Sequence, residues 1–255
     1  MDKNFELKYH ELEEGNWWFK GRRDIIMKLM KKLNISSSQK ILEIGCSGGA
    51  MIKRLDKAGF KDIVGIDISR DAINLCKKKG IKNVLVMDAK KTNFSDGQFD
   101  AIISSDILEH IEDDWAALKN WNRILKNNGK LVLFVPAFKS LWSEHDAINH
   151  HHRRYSKKEL TTKLRKSGFY LERCSYWNFS LFIPVYLMRL LSNLKRKNHR
   201  SHNLHKFPSL FNKALILTLK AENWLISKNV NFPWGISLFA VAYKKNNQHK
   251  SIKSI

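Results

Sequence analysis

Between Lys40 and Ala137 short apolar runs alternate with amphipathic segments, and glycine closes several of the joints. KILEIG (40–45), DIVGIDIS (62–69), NVLVMDA (83–89), FDAIISSD (99–106) and GKLVLFVPA (129–137) read as strands. GGAMIKRLDKAG (48–59), RDAINLCKKKG (70–80) and DDWAALKNWNRILKNNG (113–129) read as helices. In the last of these Trp115, Leu118, Trp121, Ile124 and Leu125 recur at helical spacing. Such alternation dictates a parallel sheet with right-handed crossovers and helices on both faces. The fifth run is nearly all apolar, as a strand buried on both faces must be. A sheet of this kind takes its ligand at the carboxyl ends of its strands.

After Ala137 the regularity is interrupted. Residues 138–155 form a polar, His-rich insertion, and KKELTTKLRKSG (157–168) reads as another helix. FYLERCSYW (169–177) and GISLFAVAYKK (235–245) read as late strands, with apolar helical stretches at 179–195 and about 209–228 between them.

The 255 residues suffice for one substantial core. Lys and Arg number 46 against 24 Asp and Glu, a formal charge of +22. That balance suits an anionic partner such as nucleic acid, anionic lipid or a phosphorylated substrate, although Lys and Asn are abundant throughout the chain. The three cysteines are scattered and form no CxxC pair, so neither a disulfide framework nor a zinc site is expected and a cytoplasmic setting fits. The opening MDKNFELKYH has no apolar core of a signal peptide, and no run reaches the roughly 18 apolar residues of a membrane span.

The strongest local feature is the turn between the first strand and helix, Glu43, Gly45, Cys46, Ser47, Gly48 and Gly49. Glycine there permits a tight turn and close approach of a ligand to a helix N-terminus. Asp67 closes the next strand about twenty residues on, where an acid can accept from both ribose hydroxyls. A dinucleotide turn would need glycine at 45, 47 and 50, but Ser47 and Ala50 stand at the last two.

The turn instead resembles the E-x-G-x-G-x-G signature of class I S-adenosylmethionine (SAM) dependent methyltransferases, with Ser47 in place of a glycine. Asp67 then matches the ribose acid, and Asp88 the acid that meets the adenine amino group. SSDILEHI (104–111) resembles the segment lining the methionine end, and RILKNNGKLVLFVP (123–136) the helix end and fifth strand. The resemblance implies a Rossmann-like seven-stranded sheet with an antiparallel C-terminal strand and helical additions. It implies SAM as cofactor, held by Glu43, Gly45, Cys46, Ser47, Gly49, Asp67, Ile68, Asp88, Ala89 and Ser105. An N-terminal helical lid over 1–39 would add Arg22 or Arg23 to pair with the methionine carboxylate. The SAM core would span 40–178, a helical insertion 179–233, the last strand 234–245 and a disordered tail 246–255.

The stretch from Leu141 to Tyr155 resembles the "His-Asp … His-x-Arg-Arg-Tyr-Ser" segment of a subgroup related to the ubiquinone-biosynthesis O-methyltransferases. It makes His145 the first candidate general base and His110 the second, with His150 to Arg154 able to bind an acidic acceptor. Ser156 and Glu159 also form an S-x-x-E cap, so the end of this stretch has a purely structural reading as a helix start. His150, His151 and His152 suggest a metal, yet adjacent positions rarely converge on one ion and no carboxylate or Cys cluster completes a site, so none is expected. The apolar run from Phe179 to Leu191, followed by a basic cluster from Lys195 to Arg200, suits an anchor on an anionic bilayer, a lid over a greasy acceptor, a dimer face or a core helix. The expected activity is methyl transfer to a small-molecule or lipid-like acceptor, at oxygen. Nucleic-acid methylation is the alternative that the charge favours, although no N/D-P-P-Y motif or paired catalytic cysteines are present; a non-catalytic SAM-binding protein is the other.

Overall fold

A computed structural model describes residues 13–194 and 208–245. The basic cluster Lys195–Arg200, residues 1–12 and the segment 246–255 lie outside the described residues. Helix α1 (Trp17–Lys32) leads into β1 (Ile41–Ile44), α2 (Ala50–Lys57), β2 (Ile63–Asp67), α3 (Arg70–Lys78), β3 (Val84–Val86) and β4 (Phe99–Ser105). Then come α4 (Asp114–Ile124), β5 (Leu125–Pro136), α5 (Glu144–Ile148), α6 (Lys157–Lys166), β6 (Phe169–Trp177), α7 (Phe182–Leu194), α8 (Ser209–Ser227) and β7 (Ser237–Lys244). The seven strands form one sheet in the order β3-β2-β1-β4-β5-β7-β6. The first five are parallel; β7 enters antiparallel between β5 and β6.

The two-residue period of the strands divides the core. Leu131, Leu133 and Val135 of β5 face α4 and α6, while Val132 and Phe134 face α1, α2 and α8. Both layers are dry, which accounts for the unbroken apolar runs in the sequence. Helix α4 is shorter than its pattern predicts. It ends at Ile124 rather than Gly129, because Gly97 N and Gln98 N donate to the carbonyls of Arg123 and Ile124 at 3.0 and 2.8 Å. Lys244 Nζ takes the carbonyls of Arg123 and Leu125, and Leu125 pairs with Phe99 as the start of β5. The left-handed Asn128 (φ 62°) then turns the chain into the main ladder.

Helix α1 lies where the cleft opens because α8 holds it there. Asn16 caps its first turn by accepting from Trp18 N at 2.9 Å. Buried Asn223 of α8 accepts from Trp177 Nε1 at 2.8 Å and donates to Gly21 O at 2.9 Å, joining α8, β6 and α1. Gly21 has no room for a Cβ because Leu219 of α8 fills that space. Leu219 is fully buried in the core shared by both helices. Leu219→Ala is therefore expected to cost about 2–5 kcal/mol in a urea unfolding titration. A loss below about 1 kcal/mol would mean that α8 does not seat α1.

Candidate active site

The carboxyl ends of β1 to β4, helix α1 and the His-rich insertion surround a cavity of about 630 Å3. The turn after β1 forms one wall. It needs left-handed backbone at 45, 47 and 49, with φ of 75°, 49° and 78°. At Gly45 a Cβ would collide with Ile107, so glycine is required there. Ser47 takes the same region at a strain of about 1–3 kcal/mol. It is tied down from both sides: its N–H donates to Asp67 Oδ2 at 2.9 Å and its hydroxyl to Glu13 Oε2 at 2.9 Å.

The other walls carry the remaining acids. Asp67 Oδ1 accepts from Ser69 N at 2.9 Å, so two main-chain donors aim its carboxylate. Next to it Ile68, 76% exposed, offers an apolar face to the cavity. Asp88 accepts from Lys90 N at 2.7 Å, and Ala89 O accepts from the Trp121 indole at 2.8 Å. Glu43 is buried beneath the turn with Oε2 unpartnered, and burial together with the charge of Glu13 raises its pKa well above the usual range. Ser105 donates to Asp106 at 3.0 Å, and Asp106 is itself left-handed (φ 57°).

Arg22 reaches the cavity from α1. Its guanidinium lies 4.2 Å from the ring centres of both Phe134 and Trp177, and Nη2 donates to Ser237 Oγ at 2.9 Å and Asp106 at 3.4 Å. Arg23 also lines the cavity, but its Nη1 is spent on Glu13 O at 2.9 Å.

At the β4–β5 side the insertion closes the cavity. Two fully buried carboxylates staple it. Asp114 accepts from Tyr155 Oη at 2.8 Å and pairs with Lys163 at 2.8 Å and Arg153 at 3.1 Å. Asp146 takes Arg154 Nε at 2.8 Å, His151 Nδ1 at 2.9 Å and Ser143 N at 2.8 Å. Burial alone would raise the Asp146 carboxyl, but His151 and Arg154 overcome it and hold its pKa well below the usual range. His110, His150 and His152 face the cavity beside Asn149.

Several expectations are corrected. Cys46 buries its thiol against Cys76 and Gly65, so only its main chain can serve a ligand. Gly49 faces Ile81 and Cys76 rather than the cavity, and its glycine answers to packing. His145 does not line the cavity; it stands on the outer side of α5, its ring beside Asn149 Nδ2, whereas His110 does line it. Arg153 and Arg154 are paired with Asp114 and Asp146 and are absent from the cavity's lining. A carboxylate does join the histidines: Glu109, His110 and His151 offer ligand atoms within 4.8 Å of one another. Nothing in the local sequence pattern signals the Glu13 contact to Ser47 or the two buried staples. Asp114 in the first turn of α4 reads from sequence as a helix-dipole acid.

The profile of the methyltransferase-domain family matches residues 42–133. A ubiquinone biosynthesis O-methyltransferase of Pelagibacter ubique is 32% identical over 123 residues, covering 44% of this chain and 50% of that protein. The Haemonchus contortus phosphoethanolamine N-methyltransferase 2 solved with S-adenosyl-L-methionine superposes with a TM-score of 0.57 at 19% identity, covering 87% of this chain and 52% of that one. A SAM-dependent methyltransferase structure from Thermotoga maritima gives a TM-score of 0.58 at 20% identity over 94% and 98% of the two chains. The chain spans half or less of the length of the first curated relatives it matches, from 26% to 50%.

The Asp114 staple has a measurable weight. Asp114→Asn removes the countercharge of two cations in a buried setting and is expected to lower unfolding free energy by about 3–5 kcal/mol. An unchanged denaturant midpoint would show that Tyr155 alone anchors the insertion.

Proposed function

We infer that this chain is a class I SAM-dependent methyltransferase and that it transfers a methyl group to an oxygen of a small-molecule or lipid-like acceptor. The observation that carries the reading is a single cavity. The Gly45–Asp67–Asp88 wall and the His110–His150–His152 wall enclose the same space, so cofactor and acceptor chemistry meet there.

The residues present fit the cofactor. Asp67 is aimed by two main-chain donors at the rim of the cavity, Ile68 and Ala89 give apolar faces for a base, and Asp88 stands beyond them. Gly45 brings bare main chain to the cavity wall in a left-handed turn, and Glu43 brings an unpartnered buried oxygen beneath it. Arg22 supplies a cation at the β4 end, where a carboxylate would sit. When bound, the cofactor supplies an electrophilic methyl group. Phe19 and Ile26 of α1 cover the cavity and keep water out, and the walls hold an acceptor in line with that methyl.

His110 is the residue that meets the acceptor oxygen. Its ring is open to the cavity, yet burial by the surrounding walls, then His151, push its pKa down to about 4. The imidazole is therefore neutral at pH 7 and has a lone pair to accept the acceptor's proton or its hydrogen bond. An acceptor that is partly apolar suits Ile107 and Ile111, which line the cavity with His110. Among the described residues no helix is long and apolar enough to cross a membrane.

Calorimetry with S-adenosylhomocysteine tests the cofactor wall. Asp67→Ala is expected to weaken binding roughly ten- to a hundred-fold, the worth of about 1.5–3 kcal/mol for one charged hydrogen-bond partner. Absence of binding by the folded wild-type chain would end the proposal. Methyl transfer from labelled cofactor onto an alkylated catechol, phosphoethanolamine and bulk tRNA tests the acceptor. The catechol is expected to be labelled. His110→Ala should then lower kcat by about 10²–10⁴-fold with cofactor affinity intact, while His145→Ala stays within a few-fold. Because His110 must be unprotonated, the acid limb of kcat/KM should fall near pH 4 rather than near 6.5. Labelling of phosphoethanolamine or tRNA alone would overturn the choice of oxygen or of a small acceptor.

A further inference from the structure

Helix α8 is apolar on two opposite faces. Leu215, Leu219 and Ile226 are buried in the protein. Leu210, Leu217 and Trp224 recur every seven residues on the far side, 81%, 66% and 55% exposed, with exposed Ala214 and Ala221 between them. At about 1.5 Å per residue this stripe runs roughly 21 Å along the helix. A helix face that only meets water carries polar residues instead, and a continuous apolar stripe marks a surface that is covered. Helix α7 exposes a second such set, Ile183, Leu187 and Met188. Glu222 of α8 ties the entry of α7 to it, accepting from Phe179 N at 3.0 Å and Ser180 N at 3.1 Å.

The charge around these faces has one sign. Between Phe179 and Val230 the sequence has nine Lys and Arg against one acid. That acid is Glu222, which is buried and spent on the entry of α7. Lys213 and Lys220 are exposed and edge the stripe, three residues on from Leu210 and Leu217. Arg189 of α7 turns inward and donates to Leu141 O. A leucine and tryptophan stripe edged by lysines matches a surface that is anionic outside and apolar just beneath. A polynucleotide would pair with the lysines and leave the stripe wet. A second copy would cover the stripe and bring like charges together.

We propose that the exposed face of α8, with that of α7, docks on an anionic lipid bilayer. Helix α8 lies in the plane of the interface, with Leu210, Leu217 and Trp224 at the acyl boundary and Lys213 and Lys220 among the headgroup phosphates. Among the described residues no helix is long and apolar enough to cross a membrane. The opposite face of α8 stays packed on the protein through Leu219 against Gly21 and Asn223 against Trp177. That packing links the bilayer to the cavity, because α8 seats α1, and Phe19, Arg22 and Ile26 of α1 line the cavity. A lipid-like acceptor then needs no passage through bulk water. This last consequence rests on the methyltransferase reading; the docking does not.

The test is co-sedimentation of the full chain with vesicles of phosphatidylcholine alone and of phosphatidylcholine mixed with phosphatidylglycerol. Binding to the mixed vesicles is expected, with far less to phosphatidylcholine alone, and it should weaken as salt rises. Lys213→Ala and Lys220→Ala together should lower affinity roughly twenty-five-fold at low salt, about five-fold for each charge. Leu217→Ser with Trp224→Ser, which leaves the charge unchanged, should lower it at least about ten-fold. All four side chains are exposed, so the urea midpoints of these variants should match wild type and report that the fold is retained. S-adenosylhomocysteine calorimetry would register a failed cofactor wall without touching the vesicle result. No binding to the mixed vesicles, or binding that both variants leave unchanged, would overturn the proposal. A dimer in analytical ultracentrifugation that Leu217→Ser with Trp224→Ser dissociates would overturn it in favour of a second copy. Retention on tRNA without vesicle binding would overturn it in favour of nucleic acid.

Discussion

A buried guanidinium sets where helix α1 can lie. Arg22 is 3% exposed, flanked by Phe134 of β5 and Trp177 of β6, and tied to Ser237 of β7 and Asp106 after β4. Burying a cation away from water is tolerated only where such partners converge. They converge only if three strands of the sheet and the β4 turn are all in register. Helix α1 therefore cannot settle over the cavity until the sheet, including its late antiparallel strand, is complete. The Gly21–Leu219 contact and the Asn223 bridge then hold the opposite side of the helix, so α1 is pinned along two faces.

The far wall depends on the same physics with the sign reversed. Asp114 and Asp146 are anions with no exposure, and each gathers its cations from the insertion or from α6. A loop of this length carries little apolar surface of its own, so desolvated ion pairs with satisfied hydrogen bonds substitute for a core. Left-handed backbone at Ser47, Asp106, Phe138 and His150 adds strain around the cavity. That strain persists because the staples over-determine the loop positions. Rigidity of this kind suits a reaction whose main requirement is alignment of two groups.

Much of the fold was legible because burial on both faces writes itself plainly: five apolar runs became five parallel strands, and the antiparallel β7 followed from the late run after 235. The end of α4 was not legible, since its apolar spacing continues past Ile124 while long-range donors from Gly97 and Gln98 terminate it. The cavity wall was legible at Gly45, Asp67 and Asp88, which stand at or just beyond strand ends and line one cavity. The packing of Cys46 and Gly49 was not, because a turn residue can serve the core behind the turn as readily as the cavity before it.

The His-rich wall shows why charge and histidine counts are poor guides to what a segment does. Of the run from His150 to Arg154, the arginines look like anion binders in sequence but are spent internally on Asp114 and Asp146. Among the histidines, sequence favoured His145, next to an acid in the chain. That acid, Asp146, turns back to hold His151 instead, five residues on, as the main chain closes a short helix between them. Which side chain an aspartate reaches depends on where the helix puts its partner, not on adjacency in the chain. The same closure sets His151 against His110 and Glu109 from a different strand end, a grouping that no spacing within either segment contains.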